Sequence, residues 1–260
     1  MISWLHVWPL WAIGCAIFVG LILLAEIGFR GALWQQRLHG VAPGTTTDDN
    51  GRDYLLTAML GLMALLLGFT FSLALNRFEG RRELVVKEAN ALESAWMYAQ
   101  ALREPDRAAV STVLRDYAMV RVRWSESYAG RDQKELPQQL QSRLWAATMT
   151  AARNEPSFAV GRGLAESVST SFDLATSRLA ARTADIPDRV LNVLLLYVAL
   201  SVMVLGQVSA TRDGLHRLST WLLLLLLTLA LMIILDLDRT DSGAIMVSQQ
   251  PMLDLEAMLH

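Results

Sequence analysis

Four stretches of the chain are almost free of polar side chains: about residues 7–25, 54–75, 190–210 and 218–235. None contains Asp, Glu, Lys or Arg within those limits, and charge or polarity returns at once beside them. Glu26 and Arg30 follow the first, Asn76 and Arg77 follow the second, Pro187 and Arg189 precede the third, and Arg217 and Asp236 bracket the fourth. A helix needs about 20 apolar residues to cross a hydrocarbon layer about 30 Å thick. In lipid such a segment satisfies its backbone hydrogen bonds only as a helix. The pattern predicts an all-α membrane protein with four transmembrane helices.

The first stretch differs from a cleaved signal. No Lys or Arg precedes it, and its apolar run is longer than a signal core. Trp4, Trp8 and Trp11 have the look of an interfacial aromatic belt. The reading is an uncleaved anchor.

Residues 77–189 have the opposite character, with 17 basic and 15 acidic side chains among 113. The period there is helical throughout. Leu84, Ala89, Leu92, Trp96 and Ala99 share one face, as do Val110, Val113, Leu114, Tyr117, Val120 and Trp124 after the Glu104-Pro105-Asp106 start. Gly130 ends that helix. Pro137 opens another with Leu140, Leu144, Trp145 and Met149, and Pro156 a fourth with Phe158, Leu164, Val168, Phe172, Ala175 and Leu179. Only Gly80 interrupts Asn76–Arg103, so the second span is expected to run on as one rod, a single glycine costing about 1 kcal/mol. Asp185 and Pro187 mark the start of the third span.

The expected organisation is a first transmembrane hairpin (1–76), a helical bundle (77–189), a second hairpin (190–237) and a C-terminal tail (238–260) that is mildly amphipathic from Gly243. Basic residues near the membrane number eight on the side of the bundle and termini (Arg77, Arg81, Arg82, Lys87, Arg178, Arg182, Arg189, Arg239). They number five on the other side (Arg30, Arg37, Arg52, Arg212, Arg217). That excess places both termini and the 77–189 segment in the cytoplasm.

Composition excludes several classes. The chain is 53% hydrophobic and 18% charged, with a mean hydropathy of +0.33, against about half apolar and a quarter charged for a soluble domain. Cys15 is the one cysteine, so no intrachain disulfide forms. A net charge of −2, without a basic stripe, gives no case for nucleic acid. The sequence lacks a hydrolase elbow, a phosphate loop, a dinucleotide fingerprint and metal-ligand spacing. His6, His39, His216 and His260 are scattered over termini and loops. The expectation is no enzyme, no cofactor and no metal, with the lipid bilayer as one partner.

The second span carries the informative pattern. Ala64, Gly68, Ser72 and Asn76 follow one another every four residues, with Gly61 just above. Two readings stay open: close packing between helices, which small residues permit, and the lining of an aqueous path in which Ser72 and Asn76 offer hydrogen bonds to an ion. Leu67, Phe71, Leu75 and Phe78 form a neighbouring stripe, facing lipid or making an apolar constriction, with Phe71 the member counted among the pore-lining candidates. Arg77, Arg81 and Arg82 are candidate inner-mouth charges. Glu26, Asp236 and Asp238 read as acids at membrane interfaces, with Arg239, Arg77 or Arg189 as possible partners. Thr45–Gly51 reads as a connector on the far side.

The run from Gly68 to Ala91 (GFTFSLALNRFEGRRELVVKEANA) resembles the signature of the bacterial bestrophin-like membrane family, whose founding domain is of unknown function. Ile186-Pro187 resembles that family's start of the third span. Leu235-Asp236-Leu237-Asp238-Arg239, then Ser242 to Ser248 and Pro251, resemble its final segment, with Thr240-Asp241 standing where proline and an aromatic are expected. The resemblance covers residues 54–260. It implies an oligomeric anion channel of four transmembrane helices and helical cytoplasmic domains, without the aromatic neck or calcium clasp of true bestrophins. The function expected is a homo-oligomeric channel of the bacterial inner membrane, carrying an inorganic anion past the second span. The alternative is a non-conducting anchor or scaffold whose cytoplasmic bundle binds a partner or senses a signal.

Overall fold

The computed structural model describes residues 8–39, 49–126, 135–184, 186–210, 217–239 and 243–259. Among these the regular structure is helical: α1 (Leu10–His39), α2 (Asp49–Gln100), α3 (Asp106–Glu126), α4 (Glu135–Asn154), α5 (Phe158–Thr183), α6 (Asp188–Ser209), α7 (Arg217–Asp238) and α8 (Gln250–Leu259). Four helical stretches are long and apolar enough to cross a membrane, and each takes in all but the outermost residues of one of the four apolar runs. Trp4, His6, Gly130, Asp185, Arg212, His216, Thr240, Asp241, Ser242, His260 and the 45–48 part of the polar connector lie outside the described residues.

Two helices outlast the apolar runs that announce them. α1 continues beyond Glu26 and Arg30 to His39, because those two side chains pair one turn apart at 2.8 Å and both stay accessible. α2 is unbroken for 52 residues, roughly 78 Å at 1.5 Å per residue. Gly80 does not interrupt it, as the sequence led one to expect.

The chain divides into two compact units. The first, Met1–Arg77 with Asp185–Met246, contains α1, the N-terminal part of α2, α6 and α7. α1 packs against α6 and α7. Leu21, Met63, Leu194, Val198, Val202, Leu224, Leu227 and Leu231 form its core. The α1–α6 crossing is backbone on backbone. A Cβ on Gly28 would fall on the Met203 carbonyl, and one on Gly206 would fall on the Ala25 carbonyl. Small residues permit such approach where lipid removes any hydrophobic drive for helices to associate. Thr70 donates to the Leu66 carbonyl at 2.8 Å and Tyr197 to the Met59 carbonyl at 3.3 Å, while the buried Ser201 hydroxyl has no hydrogen-bond partner among the described residues. Trp8 and Trp11 at one end of α1, and Trp34, Tyr54 and Trp221 toward the loops at the other, are all exposed, as interfacial aromatics should be.

The second unit, Phe78–Ala184 with Val247–His260, holds the rest of α2 together with α3, α4, α5 and α8. Its core joins Leu92, Ala95 and Ala99 of α2 with Leu114, Tyr117, Leu144, Leu164, Val168 and Met252. Tyr117 meets Phe172 edge-on at 5.5 Å. The amphipathic tail is therefore part of this core: Met252, Leu255 and Leu259 of α8 are buried, and α8 packs on α3. Two aromatics read as core from spacing, Trp145 and Phe158, are exposed instead. Each stands on the solvent flank of a helix whose buried line runs through Leu140, Leu144 and Ala151, or through Leu164, Val168 and Ala175.

Candidate functional site

From Gly51 to Arg77 the described side chains of α2 that are buried are Met63, Thr70 and Ala74. With about 100° between residues, these three fall on one narrow line together with the half-buried Leu56, Met59, Leu66 and Leu67. The opposite face is uncovered. Ala64, Gly68, Ser72 and Asn76 run obliquely along the middle of that face and are all exposed, as is Gly61. Beyond their own helix turns, no atom of the described residues lies within 4 Å of where a Cβ would sit on Gly61 or Gly68. Among the described residues no other helix of the chain packs against this stripe. Gly28 and Gly206, by contrast, do press on the backbone of a facing helix, and sequence spacing did not single them out.

The flanking candidates divide. Phe71 is exposed at the edge of the stripe, while Leu67, Leu75 and Phe78 are half-buried. Of the three arginines beyond Asn76, Arg82 is exposed, Arg77 half-buried, and Arg81 only 7% exposed. Arg81 falls on the covered line of α2, in register with Met63, Thr70 and Ala74, so its charge is turned into the chain.

The interfacial acids are not solvent-facing stops. Asp236 and Asp238 are each 6% exposed and accept main-chain hydrogens. The Asp236 carboxylate takes the N–H groups of Ala244 (2.9 Å) and Ile245 (3.1 Å), and Asp238 takes that of Ile186 at 2.9 Å. Asp236 thereby folds the chain after α7 back onto the helix end, while Asp238 ties the approach to α6 to the end of α7. Arg239, also buried, donates to the Trp8 carbonyl at 3.1 Å, and Asp236 acts on it electrostatically. Arg189 is exposed and Glu26 pairs with Arg30.

A charge cluster that the sequence reading missed lies in the second unit. Glu88 of α2 is fully buried. Arg121 of α3, 3% exposed, clamps it by donating to Oε1 at 2.6 Å and to Oε2 at 3.1 Å, and Arg178 of α5 donates to the same Oε2 at 2.5 Å. The second terminal nitrogen of Arg178 donates to the Gln249 side-chain carbonyl at 2.9 Å. A carboxylate shared by two guanidiniums replaces the water it loses on burial with charge-assisted bonds. A signal for it did exist: Glu88 stands in the register Val85, Glu88, Leu92, Ala95, Ala99, a charge on an otherwise apolar line. Nearby, Gln141 donates to the Tyr117 hydroxyl at 3.2 Å, and burial pushes that phenol's pKa up. Among the described residues no group of His, Cys, Asp and Glu is arranged to hold a metal.

These features define an all-helical membrane protein of four apolar helices. A sequence model of the Bestrophin-like domain matches residues 35–252, and the chain belongs to that family. The same fold recurs in solved structures. Two variants of a bacterial bestrophin homologue from Klebsiella pneumoniae superpose with a TM-score of 0.69 at 12% identity, covering 94% and 95% of this chain and 98% and 97% of theirs. A variant of a protein described as a membrane protein superposes at 0.60 with 13% identity, covering 94% of this chain and 95% of its own. A search of curated proteins finds no match.

Proposed function

We propose that the chain assembles with copies of itself into a bestrophin-like ion channel of the bacterial inner membrane, with α2 of each subunit lining the pore. The observation that carries this reading is the uncovered face of α2, whose middle bears Ala64, Gly68, Ser72 and Asn76. A surface meant only for lipid gains from large apolar side chains, whereas small and polar ones suit a wet path or a second subunit. Both termini and the 77–189 region are cytoplasmic in this reading, since basic residues concentrate on that side. Conduction of a small inorganic anion is the family analogy, supported by Arg77 and Arg82, the accessible members of the Arg77–Arg81–Arg82 group, which would raise local anion concentration. Arg82, the exposed member, is the one to test.

Purified protein in planar bilayers is the assay. Asn76→Leu should reduce unitary current, and Arg82→Glu should shift the reversal potential in a salt gradient away from the anion value. A purified oligomer that carries no current would overturn the channel and favour the scaffold.

A further inference from the structure

The last helix is short, amphipathic and held at both ends. Ten residues are too few to stay helical alone in water, where isolated helices need about 12–15, so α8 owes its form to docking. Met252, Leu255 and Leu259 enter the core of the second unit while Leu253, Asp254, Ala257 and Met258 stay exposed. Before α8, Gln249 accepts from Arg178 at 2.9 Å. At its far end the Leu259 carbonyl accepts from Arg115 at 2.9 Å, a guanidinium that also lies 5.6 Å over the Trp96 ring of α2. Arg178 has two holds, its other terminal nitrogen being on Glu88. One guanidinium therefore belongs both to the tail and to the buried carboxylate of α2.

We propose that segment 247–259 is a releasable latch on α2, acting through Arg178. Docked, Gln249 fixes one side of the Arg178 guanidinium and the other side braces Glu88. Undocked, α8 loses its helix, Arg178 loses its amide partner, and the apolar seat of Met252, Leu255 and Leu259 opens to water. α2 is one uninterrupted helix from Asp49 to Gln100, so the state of Glu88 is carried toward the Ala64–Asn76 stripe. The consequence for conduction rests on the channel reading above; the coupling between tail and α2 does not.

The experiment is hydrogen exchange by mass spectrometry on the full chain in detergent, beside single-channel recording. Gln249→Ala, which leaves the apolar seat intact, should speed exchange of the 82–92 amides of α2 about tenfold, the effect of losing one charge-assisted hydrogen bond. Leu255→Asp should do the same more strongly and also expose 247–259. In an Arg178→Gln background Gln249→Ala should add nothing to α2. Faster exchange confined to 247–259, or an equal effect of Gln249→Ala with and without Arg178, overturns the latch. In recordings Gln249→Ala should change open probability at unaltered unitary conductance, and unchanged gating overturns the functional half. A wild-type protein without current refutes the channel reading alone, because the exchange result still decides the coupling.

Discussion

Replacing Glu88 by Gln keeps the shape of the side chain and removes its charge. The guanidinium of Arg121, 3% exposed, then sits in the core of the second unit facing a neutral amide, and Arg178 has only slightly more access to water. Breaking a buried ion pair by removing one partner costs about 3–5 kcal/mol, because the remaining charge keeps its desolvation penalty without the attraction that offset it. At about 3 °C per kcal/mol for a unit of this size, the melting temperature should fall by roughly 9–15 °C. Removing both buried charges tells a different story. In Glu88→Leu/Arg121→Met the core gains apolar groups of similar length, and Arg178, nearest the surface, keeps Gln249. Such replacements are often neutral or stabilising by about 1–4 kcal/mol, so the double variant should melt higher than the single one. Thermal unfolding of the full chain in detergent reads both, through the fluorescence of Trp96 packed against this core. A Glu88→Gln protein within about 3 °C of wild type, or a double variant no better than the single, would refute the reasoning.

Other expectations follow from the same contacts. Gly206→Val or Gly28→Val drives a side chain into a facing carbonyl and should cost about 1–3 kcal/mol or more, seen as loss of the monodisperse chromatographic peak. Gly61→Ala and Gly68→Ala, with open space around them, should leave that peak unchanged. Asp236→Ala strips Ala244 and Ile245 of their acceptor, worth about 1.5–3 kcal/mol for a charged partner, and should make 243–249 sensitive to limited proteolysis. Tyr117 adds an alkaline limb. Its native pKa lies above the unfolded value of about 10, so its contribution is complete below pH 10 and is lost as pH rises toward the native value. Tyr117→Phe should flatten the fall in melting temperature above pH 10, at a cost of about 1 kcal/mol for the Gln141 bond.

The four apolar helices were legible because crossing hydrocarbon demands length and greasiness within one continuous segment, and both are local properties. The continuity of α2 through Gly80 was legible because one glycine costs a helix only about 1 kcal/mol, and the stripe of small and polar residues was legible from its spacing of four. The direction in which that stripe faces was not, since it depends on which side of α2 the other helices cover. Likewise the α1–α6 crossing rests on Gly28 and Gly206, ordinary glycines until the partner backbone is in view. The Glu88 cluster joins residues 33 and 90 positions apart, and only the misplaced charge on an apolar line hinted at it. Asp236 and Asp238 looked like stop signals because their partners are main-chain hydrogens, which every residue but proline possesses and no sequence pattern marks.

At the α1–α6 crossing each helix accepts the other's main chain directly, with no side chain between to act as a cushion. Rotation or sliding of one therefore drives an atom into its neighbour's carbonyl, and the two must travel as a single piece. Among the described residues of the first unit α2 shows no such glycine contact, its covered side chains there being Met63, Thr70, Ala74 and their half-covered neighbours.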